Sequence, residues 1–133
     1  VVDMCDSGLD SVRRKKDSSI SRAVDLVKAG TAEAVVDLFA EGATVEDPIG
    51  ADIRSTRDAL LEFYGAIAGL ERSTSLSWVR IAGDTAVFEF SLTTAAGDAS
   101  FQITPIDIMR FDDDGRVVSM RAVWDPATDL KQI

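Results

Sequence analysis

Two aspartates in apolar surroundings are the residues of this sequence best suited to chemistry. Asp47 lies in Val45-Glu46-Asp47-Pro48, and Asp107 lies far along the chain in Ile106-Asp107-Ile108-Met109. An ionised aspartate can accept a proton as a general base, whereas burial among apolar side chains disfavours the charged form and keeps an aspartic acid neutral. If both side chains face one apolar cavity, the pair predicts an active site.

The residues around Asp47 predict how it is oriented. The ring of Pro48 crowds Asp47 out of helical geometry, so Asp47 is expected at the end of a short strand entering a turn. Alternation along that strand places Val45 and Asp47 on one face, with Thr44 and Glu46 on the other. Asp47 therefore shares its face with an apolar side chain.

Asp107 belongs to a segment with the same two-residue period. It shares a face with Met109 and Phe111, while Ile108 and Arg110 point the other way. A later segment carries an apolar face of its own, formed by Met120, Ala122 and Trp124. Taken singly, Asp107 is explained as a strand acid paired with an arginine, and Asp47 as a turn residue before proline. Together, in an apolar setting, the two aspartates are candidates for one site.

Helical spacing of apolar residues predicts two helices before Asp47. The first begins at Ser18 or Ser19 and ends at Gly30, and Ala23 faces inward. Its apolar stripe is Ile20, Ala23, Val24 and Val27. The second is capped by Thr31 and ends at Glu41-Gly42. Its stripe is Ala32, Val35, Val36 and Phe39.

A third helix is predicted after Asp47. The segment Ser55-Thr56-Arg57-Asp58 is similar to a capping box, and Gly69 ends the helix. Tyr64, the single tyrosine of the chain, lies on its buried stripe. Tyr64 is either a core residue whose hydroxyl is hydrogen-bonded to a neighbouring group or part of a site. The stripe is Leu60, Phe63, Tyr64, Ile67 and Ala68.

From Ser73 onward the period changes from helical to two, which predicts a sheet. Phe88, Phe90 and Leu92 share one face of it. Pro105 cannot donate a hydrogen bond to a neighbouring strand and is expected at an edge or bulge. The acidic triplet before Gly115 is interpreted as a hairpin turn rather than a calcium site, since it lacks the calcium-loop spacing. The predicted strands are residues 75–81, 85–93, 99–111 and 117–124.

Length and composition fit one compact α+β domain, in which three N-terminal helices pack on a curved, mainly antiparallel sheet. The chain has 133 residues, of which 46% are hydrophobic, and residues 18–133 are assigned to the domain. Residues 1–17 lack sustained periodicity and are interpreted as a flexible or weakly helical lead-in.

Charge and residue types exclude several classes of function. A net charge of −9 argues against binding nucleic acid or anionic membranes, because those surfaces need clustered Lys and Arg. Histidine is absent, which removes Ser-His-Asp and Cys-His nucleophile arrangements and imidazole metal sites. A single cysteine, Cys5, forms no internal disulfide, so a reducing cytoplasm fits best and no metal site is predicted.

Five segments together resemble the steroid Δ5-isomerase (ketosteroid isomerase) family, within the SnoaL-like and NTF2-like superfamily. The likeness covers about residues 18–130, with matching order and close spacing. The segments are Ala43-Thr44-Val45-Glu46-Asp47-Pro48-Ile49-Gly50, Phe63-Tyr64, Ile106-Asp107-Ile108-Met109-Arg110-Phe111, Gly115-Arg116 and Met120-Arg121-Ala122-Val123-Trp124.

The resemblance implies a cone-shaped fold whose curved mixed sheet and helices enclose a deep apolar pocket. It implies a homodimer that uses no cofactor and acts on a small, apolar, steroid-like substrate. By position, Asp47 matches the general base of the family, Asp107 the protonated acid that donates to the C3 oxygen, and Tyr64 a tyrosine supporting the oxyanion hole. Pocket-lining positions match Phe39, Phe63, Phe88, Met109, Phe111, Met120 and Trp124. Ketosteroid isomerases are the standard example of this division of roles between two aspartates, so the assignment rests on the resemblance.

The sequence departs from the family at Ala23, which aligns with the principal oxyanion tyrosine. Three outcomes are open: Asp107 works with a water above Ala23, Tyr64 reaches into the hole, or the protein is no longer an efficient isomerase. Our hypothesis is a slower isomerase that uses Asp107 and water. Thr104 stands where some members carry a second supporting acid.

Two other classes of function remain as alternatives. One is a non-catalytic protein of the same fold that binds an apolar polycyclic ligand. The other is a related lyase or cyclase, which the absence of histidine disfavours because many such sites rely on an imidazole base.

Overall fold

The computed structural model describes residues 18–26 and 29–133. The lead-in 1–17 and Val27 of the first predicted stripe lie outside these ranges. Residues 18–26 are helical and are assigned to α1, and Ala29 is also helical. The other elements are α2 (Ala32–Val36), β1 (Phe39–Glu46), α3 (Arg57–Ala68), β2 (Glu71–Ala82), β3 (Thr85–Ala96), β4 (Ala99–Ile103), β5 (Ile106–Phe111), β6 (Val117–Val123), α4 (Pro126–Asp129) and β7 (Lys131–Gln132).

The strands form one mixed sheet of seven, and β3 lies at its centre. The order is β1-β6-β5-β3-β4-β7, and β2 pairs with the other edge of β3. Only β1 and β6 run parallel among the described pairs. Register shifts interrupt three of the ladders, and such bulges bend a sheet. The predicted α+β class with a curved sheet is confirmed.

The second predicted helix is wrong in its last part. Helix α2 ends at Val36, and Phe39 begins β1 instead of ending a helical stripe. Phe39 pairs with Val117, whose N–H donates to the carbonyl of Leu38 at 3.0 Å. Pairing with β6 supplies backbone hydrogen bonds that outweigh the local helical spacing, which is a weak preference.

Helix α3 forms over the predicted segment and begins at a threonine cap. The Oγ1 of Thr56 accepts a hydrogen bond from the N–H of Ala59 at 3.1 Å, which satisfies one of the free donors of the first turn. The cap is therefore Thr56 rather than the first residue of the predicted box, Ser55. The helix ends at Gly69, and Leu60 and Tyr64 are its buried residues.

The predicted strand 99–111 is divided into β4 and β5. Both pair with the same edge of β3, and Thr104 and Pro105 separate them. The carbonyl of Pro105 accepts from the N–H of Phe90 at 3.4 Å, although Pro105 has no N–H of its own to give. Strands β2 and β3 are longer than predicted, since hairpin pairing extends from Ala82↔Thr85 to Glu71↔Ala95.

The core lies on the face of the sheet that the alternation predicted. Phe88, Phe90 and Leu92 of β3 are buried, as are Met109 and Phe111 of β5. From the helices, Ile20, Val24, Val35, Val36, Leu60 and Tyr64 pack into the same cluster. Within the described ranges, no helix is long and apolar enough to cross a membrane.

The acidic triplet forms a turn. One carboxylate oxygen of Asp112, Oδ1, accepts hydrogen bonds from the N–H groups of Asp114 and Arg116, each at 2.9 Å. Gly115 adopts a φ of 82°, a conformation that glycine enters without strain. Asp112 therefore closes the β5–β6 connection that brings Asp107 beside β6.

Candidate active site

A cavity of about 250 Å³ lies between the helices and the inner face of the sheet. Its walls are mostly apolar, and its titratable side chains are Asp47, Tyr64 and Asp107. All but one of the site residues expected from the sequence line it: Ala23, Phe39, Asp47, Phe63, Tyr64, Phe88, Asp107, Met109, Met120 and Trp124. Phe111 is buried in the core and is not among the lining residues.

The cavity also has lining residues that the sequence reasoning did not assign to it. Most lie on faces already expected to point inward, but the sequence does not indicate how far the cavity extends along those faces. Pro105 could not be placed from the sequence, because the break between β4 and β5 brings it to the wall. These residues are Val24, Val35, Ile67, Phe90, Leu92, Ile103 and Pro105.

Asp47 is held at the end of β1 by contacts with β6. Glu46, its neighbour, pairs with Arg121 through a 2.9 Å ion pair, and the N–H of Ile49 donates to the carbonyl of Ala122 at 2.9 Å. The peptide between Asp47 and Pro48 is cis. With the backbone tied on both sides, the half-buried side chain of Asp47 is directed into the cavity.

The carboxylate of Asp47 accepts a hydrogen bond from an indole. The Nε1–H of Trp124 donates to Oδ1 at 2.7 Å. Burial raises the pKa of Asp47 above its usual value, while the Trp124 hydrogen bond and the positive charge of Arg54 oppose that rise. Asp47 therefore keeps polar support for its ionised form inside an apolar wall. The sequence placed Trp124 in the pocket but not as the donor to Asp47.

Asp107 lies deeper, on β5 between β3 and β6. It pairs in register with Phe88 on one side and Ala122 on the other, and it is 6% exposed. Burial raises the pKa of Asp107 well above its usual value, and the charge of Asp47 raises it further. Its Oδ1 is buried and has no hydrogen-bond partner among the described residues. Burial therefore favours the neutral acid at Asp107, and its Oδ1 is free to bond a ligand.

Tyr64 packs among rings at the α3 side of the cavity. Its ring lies 5.0 Å from that of Phe63 in an edge arrangement and 5.9 Å from that of Phe39. Burial raises the pKa of Tyr64 well above its usual value, and the charges of Asp107 and Asp47 raise it further. The phenol therefore stays protonated beside both carboxyl groups.

Ala23 contributes a methyl group to the wall and is 8% exposed. A methyl group can neither donate nor accept a hydrogen bond, so α1 adds no polar group to the cavity at this position. Thr104 is exposed between β4 and β5 and does not line the cavity. Asp107 and Tyr64 are therefore the available donors at the deep end.

Arg54 is a neighbour of the site that no sequence pattern indicated. Its guanidinium carbon lies 4.3 Å from the centre of the Phe63 ring, within cation–π range. Its positive charge acts against the rise in the pKa of Asp47. Arg54 itself does not line the cavity.

The arrangement can move a proton within an apolar ligand. Asp47 ionises more readily than Asp107, since it is less buried and is supported by Trp124 and Arg54. A group that can accept a proton and one whose neutral form is favoured thus line one mostly apolar cavity. This is the pairing needed to form and stabilise an enolate.

The chain is similar over most of its length to known proteins. The SnoaL-like domain matches residues 20–120. The steroid Delta-isomerase of Nocardioides simplex is 47% identical over 109 residues, which are 82% of this chain and 89% of that protein. A local likeness of 62% identity over 45 residues links the chain to the phosphate acyltransferase of Geobacter sulfurreducens, but it spans 13% of that enzyme.

Solved structures share the fold at lower sequence identity. An epoxide hydrolase/cyclase-like enzyme of pyran ring formation in salinomycin superposes with a TM-score of 0.82 at 23% identity, covering 89% of this chain and 95% of that one. A Mycobacterium tuberculosis protein superposes with a TM-score of 0.81 at 17% identity, covering 90% and 96%. At such identities the likeness shows the fold alone. The domain match and the extended identity together show that the chain belongs to the steroid Δ-isomerase (ketosteroid isomerase) family, within the SnoaL-like domains of the NTF2-like superfamily.

Proposed function

We propose that this protein is a steroid Δ5-isomerase that moves the 5,6 double bond of a 3-oxo-Δ5-steroid to the 4,5 position. The observation that carries the proposal is the pair of unlike carboxyl groups in one apolar cavity: Asp47 bonded to an indole, and Asp107 buried with Oδ1 unpaired. Membership of the isomerase family supports the same substrate class. The reaction is an isomerisation, so neither an oxidant nor a second substrate is required.

In this proposal Asp47 shuttles one proton. Its carboxylate takes a proton from C4, and the electrons of the C–H bond form a dienolate whose charge rests on the C3 oxygen. Asp47 then returns the proton to C6, which leaves the double bond conjugated with the ketone. The hydrogen bond from Trp124 at 2.7 Å supports the charged form that begins the cycle.

Asp107 stabilises the dienolate in this proposal. A neutral carboxylic acid can donate its O–H to the developing oxyanion, and an Oδ1 with no partner among the described residues supports this role. In other enzymes, removing a single oxyanion donor lowers the rate by roughly 100- to 1000-fold. Because Ala23 supplies no donor, we expect a water to take the second position, which makes the enzyme slower than relatives that have a tyrosine there.

An isomerisation assay tests the proposal. The protein is incubated with 5-androstene-3,17-dione, and the absorbance of the conjugated enone is followed with time. We expect conversion faster than the uncatalysed rate. Conversion at the uncatalysed rate, by protein that binds the steroid, would overturn it.

The second candidate is a protein of this family that binds an apolar polycyclic ligand without turning it over. The absence of a polar group at Ala23 favours this alternative. Tight binding of an equilenin-like steroid together with no gain in enone absorbance would support it. A homodimer and a cytoplasmic location, both implied by the resemblance or by composition, stay predictions.

A further inference from the structure

Arg54 is fixed beside the active site by its backbone. Its N–H donates to the carbonyl of Val45, and its carbonyl accepts from the N–H of Val45, both at 2.9 Å. This isolated antiparallel bridge ties the segment before α3 to β1, two residues before Asp47. The position of Arg54 is therefore coupled to the strand that carries the base.

The side chain of Arg54 is held in a setting unusual for an arginine. Its guanidinium stacks on Phe63, a wall residue of the cavity, with the guanidinium carbon 4.3 Å from the ring centre. Its Nη1 is buried and finds no hydrogen-bond acceptor among the described residues. Burying a charged donor without an acceptor is unfavourable, so this arrangement calls for an explanation beyond packing.

Two other arginines differ from Arg54 in having a carboxylate partner. Arg57 pairs with Asp37 at 3.0 Å, and Arg121 pairs with Glu46 at 2.9 Å. Their charges are compensated by a carboxylate in direct contact. The charge of Arg54 is left to act at longer range, and Asp47 is the carboxyl group whose proton affinity it lowers.

Other groups besides Arg54 belong to the surroundings of Asp47. Trp124 of the segment after β6 donates to its Oδ1, and Tyr64 of α3 and Asp107 of β5 lie across the cavity. Burial raises the pKa of both of the latter, which favours the neutral form of each. Glu46 is adjacent in sequence but is engaged by Arg121. Within residues 18–26 and 29–133, Arg54 is thus the cation near Asp47 whose charge no carboxylate in contact compensates.

We propose that Arg54 is a positioning residue of this site: stacked on Phe63 and bridged to Val45, its guanidinium braces the cavity wall, and its positive charge favours the ionised form of Asp47. The inference rests on the proposed function for its catalytic meaning, since a base acts only in its ionised form. Arg54 is not among the residues that line the cavity, so we expect it to act without direct contact with the ligand. Its influence passes through Asp47 and Phe63.

The test measures the ionisation of Asp47 without any steroid. The indole N–H of Trp124 is bonded to Asp47, so its ¹H–¹⁵N resonance reports the protonation of that carboxyl group. The chain has two tryptophans, and Trp78→Phe identifies the Trp124 signal. The resonance is followed over a pH titration in the full chain and in Arg54→Met, Arg54→Lys and Arg57→Met.

We expect Arg54→Met to move the titration midpoint to higher pH and Arg54→Lys to stay closer to the parent protein. Arg57→Met removes the same charge from an exposed pair and is expected to leave the midpoint unchanged. An unchanged midpoint in folded Arg54→Met, or equal shifts in the Met and Lys variants, would overturn the proposal. Arg54→Gln serves as the neutral variant if Arg54→Met does not fold.

A kinetic readout separates this inference from the proposed function. If the protein isomerises steroids, kcat/KM of Arg54→Met falls most at low pH, and its pH profile shifts with the Trp124 midpoint. If the isomerase proposal fails, the Trp124 titration still decides the role of Arg54. Isomerase activity with an Arg54→Met profile identical to that of the parent would overturn the role of Arg54 alone.

Discussion

Asp47 and Asp107 carry identical side chains in different surroundings. Asp47 is half-buried and accepts from Trp124, whereas Asp107 is almost fully buried and its Oδ1 is unpaired. Because Asp47 ionises first, its charge raises the pKa of Asp107 and widens the difference between them. One residue is thereby suited to accept a proton and the other to donate a hydrogen bond.

Replacing the proposed base, Asp47, tests its role directly. Asp47→Asn keeps the size of the side chain but cannot take up a proton, so we expect kcat to fall by about 100- to 10,000-fold. Binding of an equilenin-like steroid should persist, since the apolar walls are unchanged. Steady-state kinetics and ligand titration measure the two effects, and a fully active variant would remove Asp47 from its role.

Ala23 offers a gain-of-function test. Ala23→Tyr places a phenol on the wall formed by α1, where we expect a second oxyanion donor to raise kcat by roughly 10-fold or more. Ala23→Phe is the matched control, because it adds nearly the same volume without the hydroxyl. Equal rates in the two variants would show that the hydroxyl does not reach the oxyanion.

At the element scale, helix α3 is capped at its N-terminus, and the middle of the helix forms part of the cavity wall. Its first turn is closed by Thr56, and Tyr64 lies two turns further along, against Phe39 and Phe63. The ring contacts transmit the placement of the helix to the wall of the cavity. Helix stability and site geometry are therefore linked through packing.

The cap of α3 provides a stability prediction. Thr56→Ala removes the acceptor for the Ala59 N–H, and we expect the free energy of unfolding to fall by about 1 kcal/mol. Ser55→Ala, at the neighbouring exposed position, is expected to change it by less than about 0.5 kcal/mol. Urea denaturation of both variants makes the comparison. Equal losses of unfolding free energy in the two variants would contradict the assignment of Thr56 as the cap.

At the scale of the whole molecule, burial of acids makes stability depend on pH. The pKa of Asp107 is raised in the folded protein, so between the unfolded and folded values the native state holds a proton that the unfolded chain has lost. The unfolding free energy then falls as pH rises through that window, by about 1.4 kcal/mol per pH unit for one group. This contribution to stability is fully present only at pH values below the pKa that Asp107 has in the unfolded chain.

Asp107→Asn tests this dependence. The variant has no proton to lose, so its unfolding free energy should decline less steeply with pH, and it should be the more stable protein at neutral pH. Urea denaturation at several pH values gives the slopes. Asp113→Asn, in the exposed β5–β6 turn, is the control for the loss of one negative charge. A parent-like slope in Asp107→Asn would contradict the prediction.

The amino-acid sequence determined the elements whose pattern is local. Side-chain spacing predicts three features: the alternation of buried and less buried residues around Phe88 and Val87, the end of α3 at Gly69, and the inward orientation of Asp107. The structure confirms each of them. These features depend on contacts between residues close in the chain or on the pleat of one strand. The class of fold and the family could be identified from them together with the motifs.

Only the tertiary structure decided the features that depend on distant partners. Phe39 joins β1 because Val117 offers it a strand to pair with, and β4 and β5 separate where Pro105 meets Phe90. The hydrogen bond from Trp124 to Asp47 spans 77 positions of the chain. Arg54 reaches Phe63 through a backbone bridge that no local pattern indicates. Such contacts are set by which surfaces the packed chain brings together, and spacing along a sequence carries no information about them.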